Sequence, residues 1–259
     1  MTMPTRKIEL STWETLPQRV DSLKRSLEII YDVRLTSSSQ NVPLTNLFPT
    51  EDFLENDKLA LVFKKIVTEA YDVPIVAAEK NNDYFVLDGH HRVYINTKLK
   101  RKKIKVEVLE FPQGTSYRQV PKSSIEDLPF KEVGKIQDPI LKAWGRILNI
   151  LKQYEALYHM HVYLKRKTVA LREVSPTQPE VLKAQIEGID KILVPIVCLE
   201  YKNKYYVLDG HARCLRAKQS GLKTIQAMIL LPQIRVDFGI VNTAKEMGIR
   251  TLDDITILE

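Results

Sequence analysis

"YFVLDGHHRVY", residues 84–94, runs an apolar stretch into an Asp-Gly pair, two histidines and an arginine. A near-copy, "YYVLDGHARCL", occupies residues 205–215. A strand that ends in Asp-Gly and passes straight into a helix makes a natural anion site. The first turn of a helix carries unpaired backbone N–H groups and a partial positive charge. Glycine, having no Cβ, lets an anion come close to the backbone. In the first copy His90, His91 and Arg92 add side-chain donors, and Arg92 could grip phosphate oxygens as a fork. Asp88 is out of place in a pure anion site unless it holds Mg²⁺ against the phosphates. The alternative is that Asp88 caps the helix and the histidines fill space.

The copies extend beyond the turn. Val73–Leu109 aligns without gaps to Val194–Leu230 at an offset of 121, and "VPIV" opens both. Upstream, "VPLTNLFPTE" (42–51) matches "VALREVSPTQ" (169–178) at an offset of 127. A unit of about 65 residues therefore occurs twice, which indicates a duplicated domain and not a solenoid. Within each unit the pattern predicts strand, loop, helix, strand, turn, helix, strand. "VPIVAAE" and "YFVLDG" are strands around the polar turn "KNND", "HHRVYINTKL" is a helix, and "KIKVEVLEF" closes the unit. Between the units, residues 138–167 place Leu141, Trp144, Ile147, Leu148, Leu151, Tyr154 and Leu157 at helical spacing, predicting a long connecting helix. A second amphipathic helix is expected over 16–33, a surface loop over 112–124 and a short helix in the tail 242–258.

Composition sets the bounds. The 259 residues are 44% apolar and 27% charged, as in proteins with real cores. No apolar run approaches the roughly 20 residues of a membrane-spanning helix. The N-terminus lacks an apolar secretion core, so a cytoplasmic chain with no membrane partner is expected. Cys198 and Cys214 are the only cysteines and form neither a disulfide scaffold nor a zinc spacing. The net charge of +7 favours anionic partners such as nucleotides or nucleic acid.

Apolar strand, "DGHHR", helix and apolar strand together resemble the ParB/sulfiredoxin fold, and within it the archaeal free-serine kinases. That group carries a Pro-x-Glu turn, a helix, a Lys-Pro or Val-Pro followed by a strand, and then "VDGHHR". Here Pro49-Thr50-Glu51, "DVPIVAAE" and "VLDGHHR" stand in that order. The resemblance covers 40–111 well and 167–231 more loosely. It implies an α/β (α+β) chain of two tandem ParB/sulfiredoxin-like domains joined by a long helix. The expected boundaries are 1–135, a connecting helix over 136–166, and 167–259.

The resemblance also implies a site. Glu51 would be the general base that takes the proton of an L-serine hydroxyl. Asp88 would hold Mg²⁺ or orient the base. Gly89, His90, His91 and Arg92 would cradle the phosphates of ATP or ADP, with His91 also in the catalytic set, and the product would be O-phospho-L-serine. In the second copy Gln178 stands for Glu51 and Ala212 for His91, while Asp209, Gly210, His211 and Arg213 remain. One working domain and one retired copy is the expectation.

The run "KLKRKKIK" (98–105) holds six basic residues, either a solvated edge or a phosphate- or nucleic-acid-binding patch. His159 and His161 do not share a helical face and predict no metal site. The competing class is a nucleic-acid-binding or nucleotide-switch protein like the ParB proteins of chromosome partition. Against it, no helix-turn-helix follows the motif, and the turn lacks their arginine-rich "GERR" pattern. No paired-carboxylate cluster supports a nuclease.

Overall fold

A computed structural model of the chain describes residues 8–116, 121–134, 136–234 and 236–259. The chain divides into unit 1, Met1–Gly145, and unit 2, Arg146–Glu259. Part of the expected loop 112–124 lies outside the described residues. No helix among them is long and apolar enough to cross a membrane.

Unit 1 opens with helix α1 (Leu16–Tyr31), then strand β1 (Thr36–Pro43), a 3-10 turn (Leu44–Asn46), β2 (Leu47–Pro49), β3 (Leu54–Glu55) and α2 (Asn56–Thr68). The hairpin β4 (Ile75–Lys80) and β5 (Asp83–Asp88) leads into α3 (His90–Lys98) and β6 (Lys103–Glu110). A 3-10 turn (Ile125–Asp127) and β7 (Phe130–Lys131) follow. Five strands form one mixed sheet in the order β1-β6-β4-β5-β2. The β4–β5 hairpin turns through Asn81 and Asn82, both at positive φ (52° and 64°), as a two-residue turn between right-twisted strands demands. Helix α3 packs on α2 and on β4. Helix α1 joins the core through Leu16, which clusters with Leu35, Val73, Val76 and Leu109.

The chain continues with α4 (Pro139–Tyr158), β8 (Val162–Ala170), β9 (Val174–Ser175), β10 (Glu180–Leu182) and α5 (Lys183–Glu187). Then come β11 (Ile196–Tyr201), β12 (Lys204–Asp209), α6 (His211–Gln219), β13 (Thr224–Pro232), α7 (Gly239–Glu246), a 3-10 turn (Leu252–Asp254) and β14 (Thr256–Leu258). The sheet of unit 2 has the order β8-β13-β11-β12-β9, the same order as in unit 1. Two similar sheet-plus-helix halves are consistent with the tandem ParB/sulfiredoxin-like arrangement that the sequence implied.

The duplication is longer than the sequence alone revealed. The segment expected as a helical connector over 136–166 is helical over Pro139–Tyr158, and from Val162 it is strand. Helix α4 is the counterpart of α1 at the offset of 127. Glu28 Oε1 accepts from the Leu35 N–H at 2.9 Å, and Glu155 Oε1 accepts from the Val162 N–H at 3.0 Å. Tyr31 meets Phe111 edge-on at 5.3 Å, and Tyr158 meets Phe238 edge-on at 5.5 Å. Asp32 and His159 both end their helices at φ 51°. At the other end, β3 pairs in parallel with β7 and β10 with β14, Leu54 opposite Phe130 and Val181 opposite Ile257. The expected face of α4 buries Trp144, Ile147, Leu148 and Leu151 but leaves Leu157 exposed. The middle of the repeat is offset by 121 because α5 is a five-residue helix where α2 has thirteen, and the loop after α5 is two residues longer than the loop after α2. The expected tail helix is α7, followed by the returning turn and strand.

Both halves lock the strand–turn–helix junction in the same way. Arg92 Nη2 donates to Asp88 Oδ2 at 2.5 Å, and its Nη1 donates to the Val73 and Pro74 carbonyls at 2.9 and 2.7 Å. The guanidinium lies across Gly89, where a Cβ would stand 2.9 Å from Nη2 and 2.5 Å from Ile75 Cγ2. Gly89 also sits at φ +103°, in the left-handed region that favours glycine. In unit 2 Arg213 donates to Asp209 at 2.5 Å across Gly210, which has φ +106°. A second arginine reaches each aspartate: Arg19 at 3.7 Å from Asp88 and Arg146, its equivalent, at 3.5 Å from Asp209. Removing one partner of such a part-buried pair leaves the other short of its hydrogen bonds, at a cost of about 1–3 kcal/mol. Arg213→Met is therefore expected to destabilise the chain by about that amount in urea unfolding, and Arg92→Met, which also gives up the close Val73 and Pro74 carbonyls, by more. Full stability in Arg213→Met would show that the pair does not hold the junction.

Candidate functional site

The site is assembled at the start of α3. Gly89 is the N-cap residue, and no side chain caps the helix. The first intrahelical bond runs from the Val93 N–H to the Gly89 carbonyl, so the N–H groups of His90, His91 and Arg92 precede the ladder. The loop after β2 crosses in front of this end. Its Thr50 N–H donates to His90 Nε2 at 3.0 Å, and the Thr50 hydroxyl donates to the Val86 carbonyl at 2.6 Å. Accepting at Nε2 leaves His90 Nδ1 to carry the ring proton. That nitrogen lies 3.2 Å from Glu51 Oε1. The contact has the distance of a hydrogen bond but not its alignment, so the buried Nδ1 has no well-directed acceptor.

Glu51 itself is half exposed, at 47%. Partial burial raises its pKa, but the neighbouring His90, His91 and Lys58 outweigh that, and the net shift is downward. The carboxylate is ionised at neutral pH and faces a buried N–H donor on one side and water on the other. The predicted pairing of Glu51 with the α3 turn is thus present in the structure.

The other predicted residues behave differently. His91 is buried, and its Nε2 accepts the Glu55 N–H at 2.9 Å, which anchors the start of α2. Burial, helped by Lys58, pushes its pKa down to about 3, so the ring is neutral and donates only through Nδ1. Arg92 is buried beneath the turn with both terminal nitrogens engaged, so its side chain holds the junction and does not fork outward to a phosphate. The Asp88 carboxylate receives Arg92, Arg19 and the Ser11 hydroxyl at 3.3 Å. A single carboxylate already met by two guanidinium groups is a donor set that does not fit Mg²⁺, which takes oxygen ligands. The role of Asp88 here is to hold Arg92. The donors left at this turn for an anion are the backbone N–H groups and the imidazole Nδ1 atoms.

Two residues that the sequence did not single out belong to the site. Thr50 sets the tautomer of His90. Lys58, in the first turn of α2, is the cation near both Glu51 and His91. Comparison of the copies carries the signal for Lys58: at the offset of 127 its counterpart is Gln185. In unit 2 the Thr177 N–H donates to His211 Nε2 at 3.0 Å, and the Thr177 hydroxyl donates to the Val207 carbonyl, as in unit 1. The scaffold of the site is therefore kept in both halves, while Glu51, Lys58 and His91 become Gln178, Gln185 and Ala212. Lys98, counted in the basic run, is fully buried and pairs with Glu126 at 2.6 Å. Cys198 and Cys214 are buried in the core of unit 2, with thiol pKa values pushed up by burial.

A pH dependence follows from His91. Its folded pKa lies below the unfolded value of 6.5, so its contribution to stability is complete above pH 6.5 and is lost as pH falls toward 3. Between pH 7 and pH 5 the loss is about 2 kcal/mol. His91→Ala removes the acceptor for Glu55 and is expected to be the less stable protein at pH 7. The gap to wild type should narrow by about 2 kcal/mol at pH 5 in urea titrations. A gap that stays constant between the two pH values would contradict a buried neutral His91.

No family model matches the chain. Among curated proteins it is 29% identical over 122 residues to an uncharacterized protein of Methanocaldococcus jannaschii, covering 44% of this chain and 45% of the relative. The chain thus matches less than half the length of that relative. Among solved structures it is similar to sulfiredoxin from Arabidopsis thaliana, at 21% identity and TM-score 0.23, over 27% of this chain and 83% of that one. It is also similar to a Pnob8-like ParB-N domain, at 18% identity and TM-score 0.26, over 49% of this chain and 50% of that one. A third similarity is to protein Atu1540 from Agrobacterium tumefaciens, at 12% identity and TM-score 0.27, over 36% and 62%.

Proposed function

We propose that unit 1 is a small-molecule kinase that moves a phosphoryl group from ATP or ADP to a free hydroxyl compound, with L-serine as the acceptor. The observation that carries this reading is the ionised Glu51 carboxylate set 3.2 Å from His90 Nδ1, in front of the uncapped N-terminus of α3. Phosphoryl transfer asks mainly for positioning and positive electrostatics. The N–H groups of His90, His91 and Arg92 and the Lys58 ammonium supply that field. Glu51 accepts the hydroxyl proton as the serine oxygen attacks the terminal phosphorus. The new P–O bond forms as the bond to the bridging oxygen breaks, and the shortened nucleotide leaves with the electron pair. A divalent ion would arrive on the nucleotide phosphates, shielding their charge, and Asp88 would not hold it. Glu51 is held ionised, so proton transfer waits on attack and does not precede it.

Unit 2, in this reading, is a copy retained without chemistry. Gln178 cannot take a proton, and Gln185 and Ala212 remove the cation and the second imidazole.

The test is incubation of the full chain with Mg²⁺, ATP or ADP and a panel of hydroxyl compounds, with products read by mass spectrometry. O-phosphoserine is expected. Glu51→Gln should lower turnover roughly 100-fold or more while leaving nucleotide affinity within a few-fold. Gln178→Glu should change neither. Equal loss from changes in both units, or no phosphorylated product across the panel, would overturn the assignment.

A second reading rests on a separate observation. Lys100, Arg101, Lys102, Lys103 and Lys105 form an exposed basic run from the end of α3 into β6, and the chain carries a net charge of +7. Such a run suits a nucleic-acid phosphate backbone. A steep salt-dependent affinity for duplex DNA, with no consumption of nucleotide in the presence of serine, would favour this ParB-like role over the kinase.

A further inference from the structure

Unit 1 contains a cavity of about 470 Å³ between α1 and the β4–β5 hairpin, a volume in the usual range of small-molecule sites. Its walls include Leu27 and Tyr31 of α1, Ala78 and Phe85 of the hairpin, and Phe111 after β6. The polar groups of Asn81, Asp83 and Lys122 stand at its margin. Two further lining residues connect it to the site. Thr50 precedes Glu51 and holds His90, and Leu87 precedes Asp88.

Unit 2 carries bulkier side chains at corresponding positions. At the equivalent positions Tyr154 replaces Leu27, Leu199 replaces Ala78 and Tyr201 replaces Lys80. The registers agree, since Ala78 lies opposite Phe85 on β5 and Leu199 opposite Tyr206 on β12. Tyr154 packs 5.9 Å from Tyr158 and 6.2 Å from Phe238, and burial raises its pKa to about 12. Tyr201 packs 6.3 Å from Tyr206 and donates its hydroxyl to Asp237 at 3.2 Å. The half that lacks Glu51, Lys58 and His91 thus also carries larger side chains at this place. Small side chains here and the charged residues of the turn occur in the same half, which ties the cavity to the ligand of the α3 turn.

We propose that this cavity is the nucleoside subsite of unit 1, seating the base and ribose of a nucleotide whose phosphates lie at the start of α3. The inference rests on the phosphate role given above to that turn, and not on serine as the acceptor. Three aromatic rings and two leucines suit the flat π-face of a base, while a small hydroxylated acceptor would gain little from such walls. Asn81 and Asp83 offer hydrogen-bonding partners to the polar edge of a base at the mouth.

The experiment compares, by calorimetric titration of the full chain with Mg²⁺ present, the binding of ATP with that of inorganic tripolyphosphate. Wild type should bind ATP roughly tenfold or more tightly than tripolyphosphate, because only ATP has a base to stack. Leu27→Tyr and Ala78→Leu install the side chains that unit 2 carries. Each should remove most of that preference while leaving tripolyphosphate affinity within about twofold, which also reports that the variant is folded. Equal wild-type affinity for the two ligands overturns the subsite while leaving the phosphate site standing. So do variants that bind tripolyphosphate and keep the full preference for ATP. Failure of wild type to bind either ligand overturns the phosphate site and the subsite with it.

Discussion

The ion pair between an aspartate at the end of a strand and an arginine one turn into the next helix fixes everything else in each half. Asp88 and Arg92 are four residues apart, so the pair closes over Gly89 only when the strand gives way to the helix at that residue. Two further guanidinium protons go to the carbonyls of Val73 and Pro74, which hold the entry to β4 against the exit of β5. A buried guanidinium is tolerated because its donors are paired. Once the junction is set, the first N–H groups of α3 have one place to point, and the loop carrying Thr50 and Glu51 must cross before them.

Seen this way, the motif has two layers. Asp88, Gly89, His90 and Arg92 make the junction and its bond to the Thr50 loop, and the same contacts recur at Asp209, Gly210, His211 and Arg213. Glu51, Lys58 and His91 are added to that frame in unit 1 alone. The second copy acts as an internal control: what it keeps is what the fold needs, and what it has lost is what the fold can do without. Retention of the arginine and aspartate through the duplication therefore says nothing about phosphate or metal.

Much of this was legible in the residues. The alternation of "YFVLDG", the polar hairpin turn and the Asp-Gly entry to α3 are local signals, and they place β4, β5 and α3 correctly. The pairing of Glu51 with the turn came from the Pro-x-Glu resemblance at residues 49–51, and the spacing of the residues alone did not give it. The burial of Arg92 was not legible, because a guanidinium four residues from an aspartate can face solvent or core, and only the packing of Val73, Pro74 and Tyr71 decides. Nor was α4 recognisable as a repeat of α1. Over residues 16–35 and 143–162 only Arg19, Glu28 and Tyr31 recur, and the apolar pattern of any amphipathic helix hides so thin a match. Those three are the residues that make the side-chain contacts shared by the two helices, with Asp88, with the N–H of Leu35 and with Phe111.

The direction of the Glu51 shift bears on what kind of chemistry the site could support. A carboxylate made less basic by His90, His91 and Lys58 is a poor base for a free alcohol, whose own proton is held far more tightly. It suits a reaction in which the alcohol becomes acidic only as it bonds to phosphorus. In a loose, largely dissociative transfer that bonding comes late, and the main demand on the protein is to hold the acceptor in line and to stabilise charge on the moving group. The cationic and N–H groups that depress the Glu51 pKa are the ones that would stabilise that charge. A weak base and a strong anion field are, in this geometry, two consequences of one placement.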